Sequence, residues 1–318
     1  MSPRAKDNAV VAICGAAGHF GRLLVRRLHR SQPVVAIDDR PFWQRPADVA
    51  HRQSELKSRH TRNLFRRGGI HTVIYIGGCS QFVLGDGEQF SFAIENFARL
   101  LEYCDRYNVS RLLVLSAGDV YGARPGNSQF LSENAPLLAP EFSAFRDIDI
   151  MAQTFLWKRP DIQTLVLRPA HIAGAIRSAF VRYLHLSPVP MLLGYDPMVQ
   201  LIHEEDLVDA ILLALQSGRR GVYNVAGAGC LPLSQLVQML GKTAIQVPHV
   251  LAKPALRHMN KLRILEFHPA YVDYLRYVCM VDDAGIRADL GYRPKRSLTE
   301  SVDAIQLWGA SHSGWGMP

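Results

Sequence analysis

The 318 residues carry 36 lysines and arginines against 28 aspartates and glutamates, a formal net charge of +8, and 48% of them are hydrophobic. A chain of this length and apolar content buries a proper core without disulfide or metal staples, which excludes the small cross-linked and the disordered classes. Its five cysteines stand far apart, mostly in apolar runs, and suggest neither a disulfide framework nor a Cys-x-x-Cys metal site, so a reducing, cytoplasmic setting is expected.

In chain order, residues 1–8 are polar and lead into an apolar strand pattern at 10–14; no apolar stretch reaches the roughly eighteen residues of a membrane span. Further short β-branched or Leu-rich runs stand at 34–37, 72–76, 111–115 and 164–168, of the kind that a sheet buried on both faces requires. Between them, 20–28, 90–107 and 145–157 repeat apolar residues at helical spacing. This alternation predicts an α/β fold, a Rossmann-type doubly wound parallel sheet over 1–175 to which later segments return. Beyond Pro169, prolines at 188, 190, 197, 232, 248 and 254 break the pattern, which predicts a smaller C-terminal lobe over 176–310 and a loose tail over 311–318.

Arg52, Lys57, Arg59, Arg62, Arg66 and Arg67 concentrate much of the positive charge. Such a run suits nucleic acid or an anionic membrane surface. No aromatic ladder or DNA-binding motif accompanies it, so it is read as a solvated basic helix near an anionic cofactor, and nucleic acid is not expected as a partner.

The run Gly15-Ala16-Ala17-Gly18-His19-Phe20-Gly21 follows the first strand and opens a helix. There the backbone N–H groups and the helix N-terminus can face a pyrophosphate, and glycine lets the ligand approach closely. The next strand ends in Asp38, seventeen residues after Gly21, where a carboxylate can accept both ribose hydroxyls of an adenosine and would repel a 2′-phosphate. NAD is therefore the expected cofactor, with Gly15, Gly18, Phe20, Gly21 and Asp38 as its binding residues.

Later motifs sharpen the reading. Leu115-Ser116-Ala117-Gly118-Asp119-Val120-Tyr121-Gly122, Arg168-Pro169-Ala170-His171-Ile172-Ala173-Gly174, Gln200-Leu201-Ile202-His203-Glu204-Glu205-Asp206 and Gly221-Val222-Tyr223-Asn224-Val225-Ala226-Gly227 follow one another. With the glycine loop they resemble the extended short-chain dehydrogenase/reductases of the NAD-dependent epimerase/dehydratase family. The resemblance implies a Rossmann domain with a smaller substrate lobe, a nucleotide sugar as ligand, Gly77 and Asn96 near the cofactor, and often a homodimer through two helices per subunit, here 90–107 and 145–157. It also implies a Tyr acid/base, a Lys four residues later and a Ser or Thr that orients the substrate oxygen. Without a nearby ammonium, a phenol pKa of about 10 is too high for a base at neutral pH.

The chain departs from that pattern at all three positions. Ala117 stands for the Ser/Thr, Phe145 for the Tyr and Asp149 for the Lys, with Gln153 after them; none of the eleven tyrosines is followed by Lys four positions on. Gly77-Gly78 replace the usual Ala-Ala. The family also has a strand followed by an Asp that hydrogen-bonds the adenine amino group, and the stretch taken to correspond, Lys57-Ser58-Arg59-His60-Thr61-Arg62, has no carboxylate. Altered adenine recognition is expected. Residues 194–200 and 203–206 resemble an atypical bacterial branch in which the Tyr/Lys pair is also replaced.

His203, Glu204, Glu205 and Asp206 read as a helix start, where carboxylates meet the positive end of the dipole. Their spacing fits no two-histidine zinc motif, and no metal is expected. Asp147 and Asp149, two apart, do not share a helix face, and Cys79 reads as a buried, inert thiol. His171, Asp149 and Asp119 are the candidates left for proton transfer. Two functions follow: a protein that binds NAD or a nucleotide sugar with little or no standard activity, as a sensor or a scaffold for a protein partner, or an active nucleotide-sugar epimerase, dehydratase or reductase with unconventional acid/base groups. Removing a general acid/base alone costs about 100- to 10,000-fold, which favours the first.

Overall fold

The computed structural model describes residues 9–77, 87–139, 143–174, 178–261 and 271–312. Gly78 and Cys79 lie outside these residues, as does the predicted tail from 313; residues 311 and 312 complete the last helix.

The strands are β1 (Val10–Cys14), β2 (Val34–Asp38), β3 (Ala50–Gln53), β4 (Ile70–Tyr75), β5 (Arg111–Leu115), β6 (Gln163–Pro169), β7 (His171–Ala173), β8 (Val189–Leu192), β9 (Met198–His203), β10 (Gly221–Val225), β11 (Cys230–Pro232) and β12 (Ala244–Val247). The helices are α1 (His19–Leu28), α2 (Arg59–Arg66), α3 (Gly87–Arg106), α4 (Ser143–Lys158), α5 (Ala179–Leu184), α6 (Glu204–Gln216), α7 (Leu233–Met239), α8 (His249–Lys261), α9 (Tyr271–Tyr274), α10 (Ala284–Leu290) and α11 (Leu298–His312).

Seven strands form one sheet in the order β10-β6-β5-β4-β1-β2-β3, and its pairs from β3 to β6 are parallel. The reversal of strand order beside β1 is that of a doubly wound fold. All five residues of β2 are buried, as are five of six in β4, because Val/Ile-rich runs satisfy a sheet covered on both faces. β3 departs from the pattern. Ala50-His51-Arg52-Gln53 is polar and mostly exposed, and an edge strand with one neighbour tolerates that.

Over one sheet face, α3 contributes Phe97, Leu100 and Cys104 and α4 contributes Ile148, Ala152 and Phe155 to one core with Ala12, Val73 and Leu112. The three- and four-residue steps put each set on one helix stripe. Ile150 and Trp157 of α4 remain 46% and 81% exposed.

The chain divides into two compact units that alternate along the sequence. One comprises 1–116, 144–168 and 211–223; the other comprises 117–143, 169–210 and 224–318. Within the second, β11-β9-β7 form one small sheet and β12-β8 another. Tyr121 Oη donates to Asn224 Oδ1 at 2.7 Å, and Asn224 Nδ2 donates to the Leu131 carbonyl at 2.8 Å, tying two of the sequence motifs together. The acidic cluster does start a helix: Glu204, Glu205 and Asp206 form the first turn of α6, and Asp206 accepts the backbone N–H groups of Lys295 and Arg296.

Candidate functional site

The first unit contains a cavity of about 560 Å³ at the carboxyl ends of its central strands. Gly15 leaves β1 at φ +91°, a conformation that L side chains rarely adopt, and an added Cβ would stand 2.8 Å from the backbone of Gly77. Gly21 serves packing: a Cβ there would lie 2.5 Å from the Gly15 carbonyl, so only glycine lets α1 seat against the loop. Gly18 caps α1 without a side-chain hydrogen bond, and no acidic residue occupies the first turn, so the helix dipole presents positive charge there.

Of the residues that the sequence assigns to the cofactor, Gly15, Asp38, Gly77 and Asn96 line the cavity. Gly18, Phe20 and Gly21 are not in its wall, and Phe20 is buried at 4% exposure.

Asp38 ends β2 with its side chain 2% exposed. Its Oδ2 accepts the Ala17 N–H at 2.8 Å, which braces the glycine loop from the neighbouring strand. Oδ1 accepts both the backbone N–H and Nε–H of Arg40 at 3.0 Å, and Arg40 Nη2 donates to Oδ2 at 3.3 Å. Burial by itself would raise the Asp38 pKa, but the hydrogen bonds from Arg40 and Ala17 outweigh it and hold the carboxyl below its ordinary value. Asp39 moves the other way, raised by burial and then by the adjacent Asp38.

Several wall residues escaped the sequence reading, and two stand out. Arg40 is one. The other is Glu55, which follows β3 directly in Ser54-Glu55-Leu56, all three lining the cavity. The strand therefore ends before the stretch from Lys57 that was expected to follow it, and a carboxylate does stand after it. Asn96 fixes this turn, accepting the Lys57 N–H at 3.0 Å while its Nδ2 donates to the Phe92 carbonyl. Ser58 then caps α2 by accepting the Thr61 N–H.

Of the two residues that the sequence analysis sets against the family's Tyr and Lys, Phe145 lines the cavity. Asp149, one turn further along α4, points into the protein: both carboxylate oxygens accept hydrogen bonds from Arg168, at 2.7 and 2.8 Å, and Gln153 donates to Oδ1 at 2.7 Å. The Asp149 side chain is fully buried in this ion pair.

In the second unit, Ala117 is buried at the start of the turn Gly118–Tyr121. Asp119 in that turn and His171 of β7 come together, Oδ1 to Nδ1 at 3.7 Å, both side chains about one-seventh exposed at 13% and 15%. The imidazole stacks on Phe180, with ring centroids 4.0 Å apart. Burial raises the Asp119 pKa, and the nearby His171 opposes it. Among the described residues, no group of three or more His, Cys, Asp or Glu is arranged to hold a metal ion, and no helix is long and apolar enough to cross a membrane.

Similarity to known proteins runs along the whole chain. An uncharacterized protein of Mycobacterium tuberculosis is 27% identical over 311 residues, covering 92% of this chain and 82% of its own. A dTDP-glucose 4,6-dehydratase of Streptomyces venezuelae, solved with NAD bound, superposes with a TM-score of 0.76 at 17% identity, covering 97% of this chain and 99% of its own. A UDP-glucose 4-epimerase of Thermotoga maritima, solved with UDP-glucose, gives 0.74 at 17% identity over 95% and 99%. At such identities the structures speak for the fold alone. The model of the NAD dependent epimerase/dehydratase family matches residues 11–226, and the chain belongs to that family.

Proposed function

We propose that this protein binds NAD in the first unit's cavity and takes a nucleotide sugar, with little or no activity of the standard Tyr/Lys kind. The observation that carries the reading is the Asp149–Arg168 pair: the position of the expected ammonium holds a carboxylate closed inside the protein, one helical turn after a phenylalanine in the cavity wall. No phenol is present there to exchange a proton, and no lysine to lower its pKa.

The residues present fit the cofactor. The Gly15 cradle, which a Cβ would fill, and the N-terminus of α1 would take the pyrophosphate, Asp38 the ribose hydroxyls, and Glu55 the adenine amino group. Bound NAD supplies a hydride acceptor. The structures of similar fold that hold NAD or UDP-glucose support the ligand class. Exposed Ile150 and Trp157 on α4 support a homodimer through α3 and α4.

Thermal unfolding with NAD and NADH at millimolar concentration tests the cofactor, because a ligand of the native state raises stability by mass action. No shift with either overturns it. Incubating the NAD-loaded protein with UDP-, GDP- and dTDP-sugars, followed through NADH absorbance and product analysis, tests the rest; turnover at rates ordinary for such enzymes would overturn the reading of a disarmed site.

One observation favours a second reading, an active enzyme with substitute groups: the His171–Asp119 pair, whose imidazole is clamped on Phe180. A carboxylate this close favours the imidazolium that forms when a ring nitrogen takes a proton. Turnover of a nucleotide sugar that is lost in His171→Ala would establish this reading.

A further inference from the structure

We propose that Arg40 opens the ribose end of the cavity to a 2′-phosphate, so that the protein takes NADP(H) as well as NAD(H). This rests on the cofactor reading above and refines it. A lone carboxylate at the end of the second strand accepts the ribose diol and repels a phosphate. Asp38 is not alone. Both of its oxygens already accept hydrogen bonds from Arg40, at 3.0 and 3.3 Å through the side chain, and Oδ2 also holds Ala17. A ribose diol reaching for Asp38 must therefore displace the guanidinium.

The exposure of the two partners differs. Asp38 is 2% exposed and tied to the loop, whereas Arg40 is 38% exposed on the cavity wall. The guanidinium is thus the more accessible of the two to a ligand in the cavity. An incoming 2′-phosphate exchanges one anionic partner of Arg40 for another, and the planar fork suits phosphate as well as carboxylate. Asp39 works against the phosphate: its carboxylate lies 3.9 Å from Arg40 Nε and is 48% exposed. Discrimination is thus set by Arg40 against Asp39, with Asp38 largely neutralised.

The experiment is calorimetric titration of the full chain with NAD and with NADP, needing no turnover. The expected dissociation constants lie within about tenfold of each other, a difference below roughly one charge-assisted hydrogen bond. Arg40→Ala should weaken NADP about tenfold or more and tighten NAD, whose ribose then meets Asp38 without competition. Asp39→Asn should tighten NADP. NAD binding with no NADP binding in the wild type, or equal weakening of both by Arg40→Ala, overturns the proposal while leaving the cofactor reading intact. Failure of both cofactors to bind overturns the two together.

Discussion

Arg168 and Asp149 meet in a bidentate ion pair, Nη2 to Oδ1 at 2.7 Å and Nε to Oδ2 at 2.8 Å, with side chains 1% and 0% exposed. Removing one partner strands a buried charge, which costs about 3–5 kcal/mol, whereas replacing both with apolar groups is often neutral. Asp149→Ala should therefore lower the free energy of unfolding in urea by that amount, and Asp149→Leu with Arg168→Met should recover most of it. Asp149→Lys sets an ammonium against the guanidinium and should be worse than Asp149→Ala, so restoring the family's lysine requires a change at Arg168 as well.

The backbone at Gly15 allows a sharper test of the loop. An alanine there meets both an unfavourable φ of +91° and a backbone contact at 2.8 Å. Strain of this kind costs about 1–3 kcal/mol. Gly15→Ala should lower thermal stability and abolish the stabilisation by NAD, a loss visible in the same melting assay. Retained NAD stabilisation would show that the loop is not the phosphate cradle.

Asp38 gives a pH-dependent signature. Its carboxyl lies below the ordinary value in the folded protein, so the stability it contributes is present above the unfolded carboxylate pKa of about 3.9 and is lost as pH falls through the folded value. Compared by chemical denaturation, Asp38→Asn should be less stable than the wild type at pH 7, and the gap should close under strong acid. A gap independent of pH would mean that the carboxylate charge contributes nothing.

Asp119 should behave oppositely. Burial raises its folded pKa, so stability falls as pH rises from the unfolded value to the folded one, and the penalty persists above it. Asp119→Asn should then be more stable than the wild type at neutral pH, with the difference vanishing in acid. Greater stability of Asp119 at neutral pH would instead show that its attraction to His171 exceeds the cost of burial.

Tyr121 tests the second unit. Tyr121→Phe leaves the fully buried Asn224 Oδ1 without the phenol donor, and an unsatisfied buried acceptor costs about 1–3 kcal/mol. Urea denaturation should register that loss, and Tyr121→Phe with Asn224→Leu should not add the two single losses.

The parallel sheet, the glycine loop and Asp38 were legible in the sequence because each is written locally: apolar runs need burial on both faces, and the tight turn after β1 needs glycine. Equally plain were the residue types Phe145, Asp149 and Ala117 at the positions set against the family's Tyr, Lys and Ser/Thr. β3 was not legible, since Ala50-His51-Arg52-Gln53 has no apolar alternation and becomes a strand only by pairing with the edge at β2. Glu55 was hidden with it. Tertiary structure alone decided the fates of the charges. Asp149 is closed off by Arg168 from a neighbouring strand, Asp38 is shared with Arg40, and His171 reaches Asp119 across unrelated segments. A residue's type states which charge it can carry; only its packed neighbours determine whether that charge faces a ligand or another side chain.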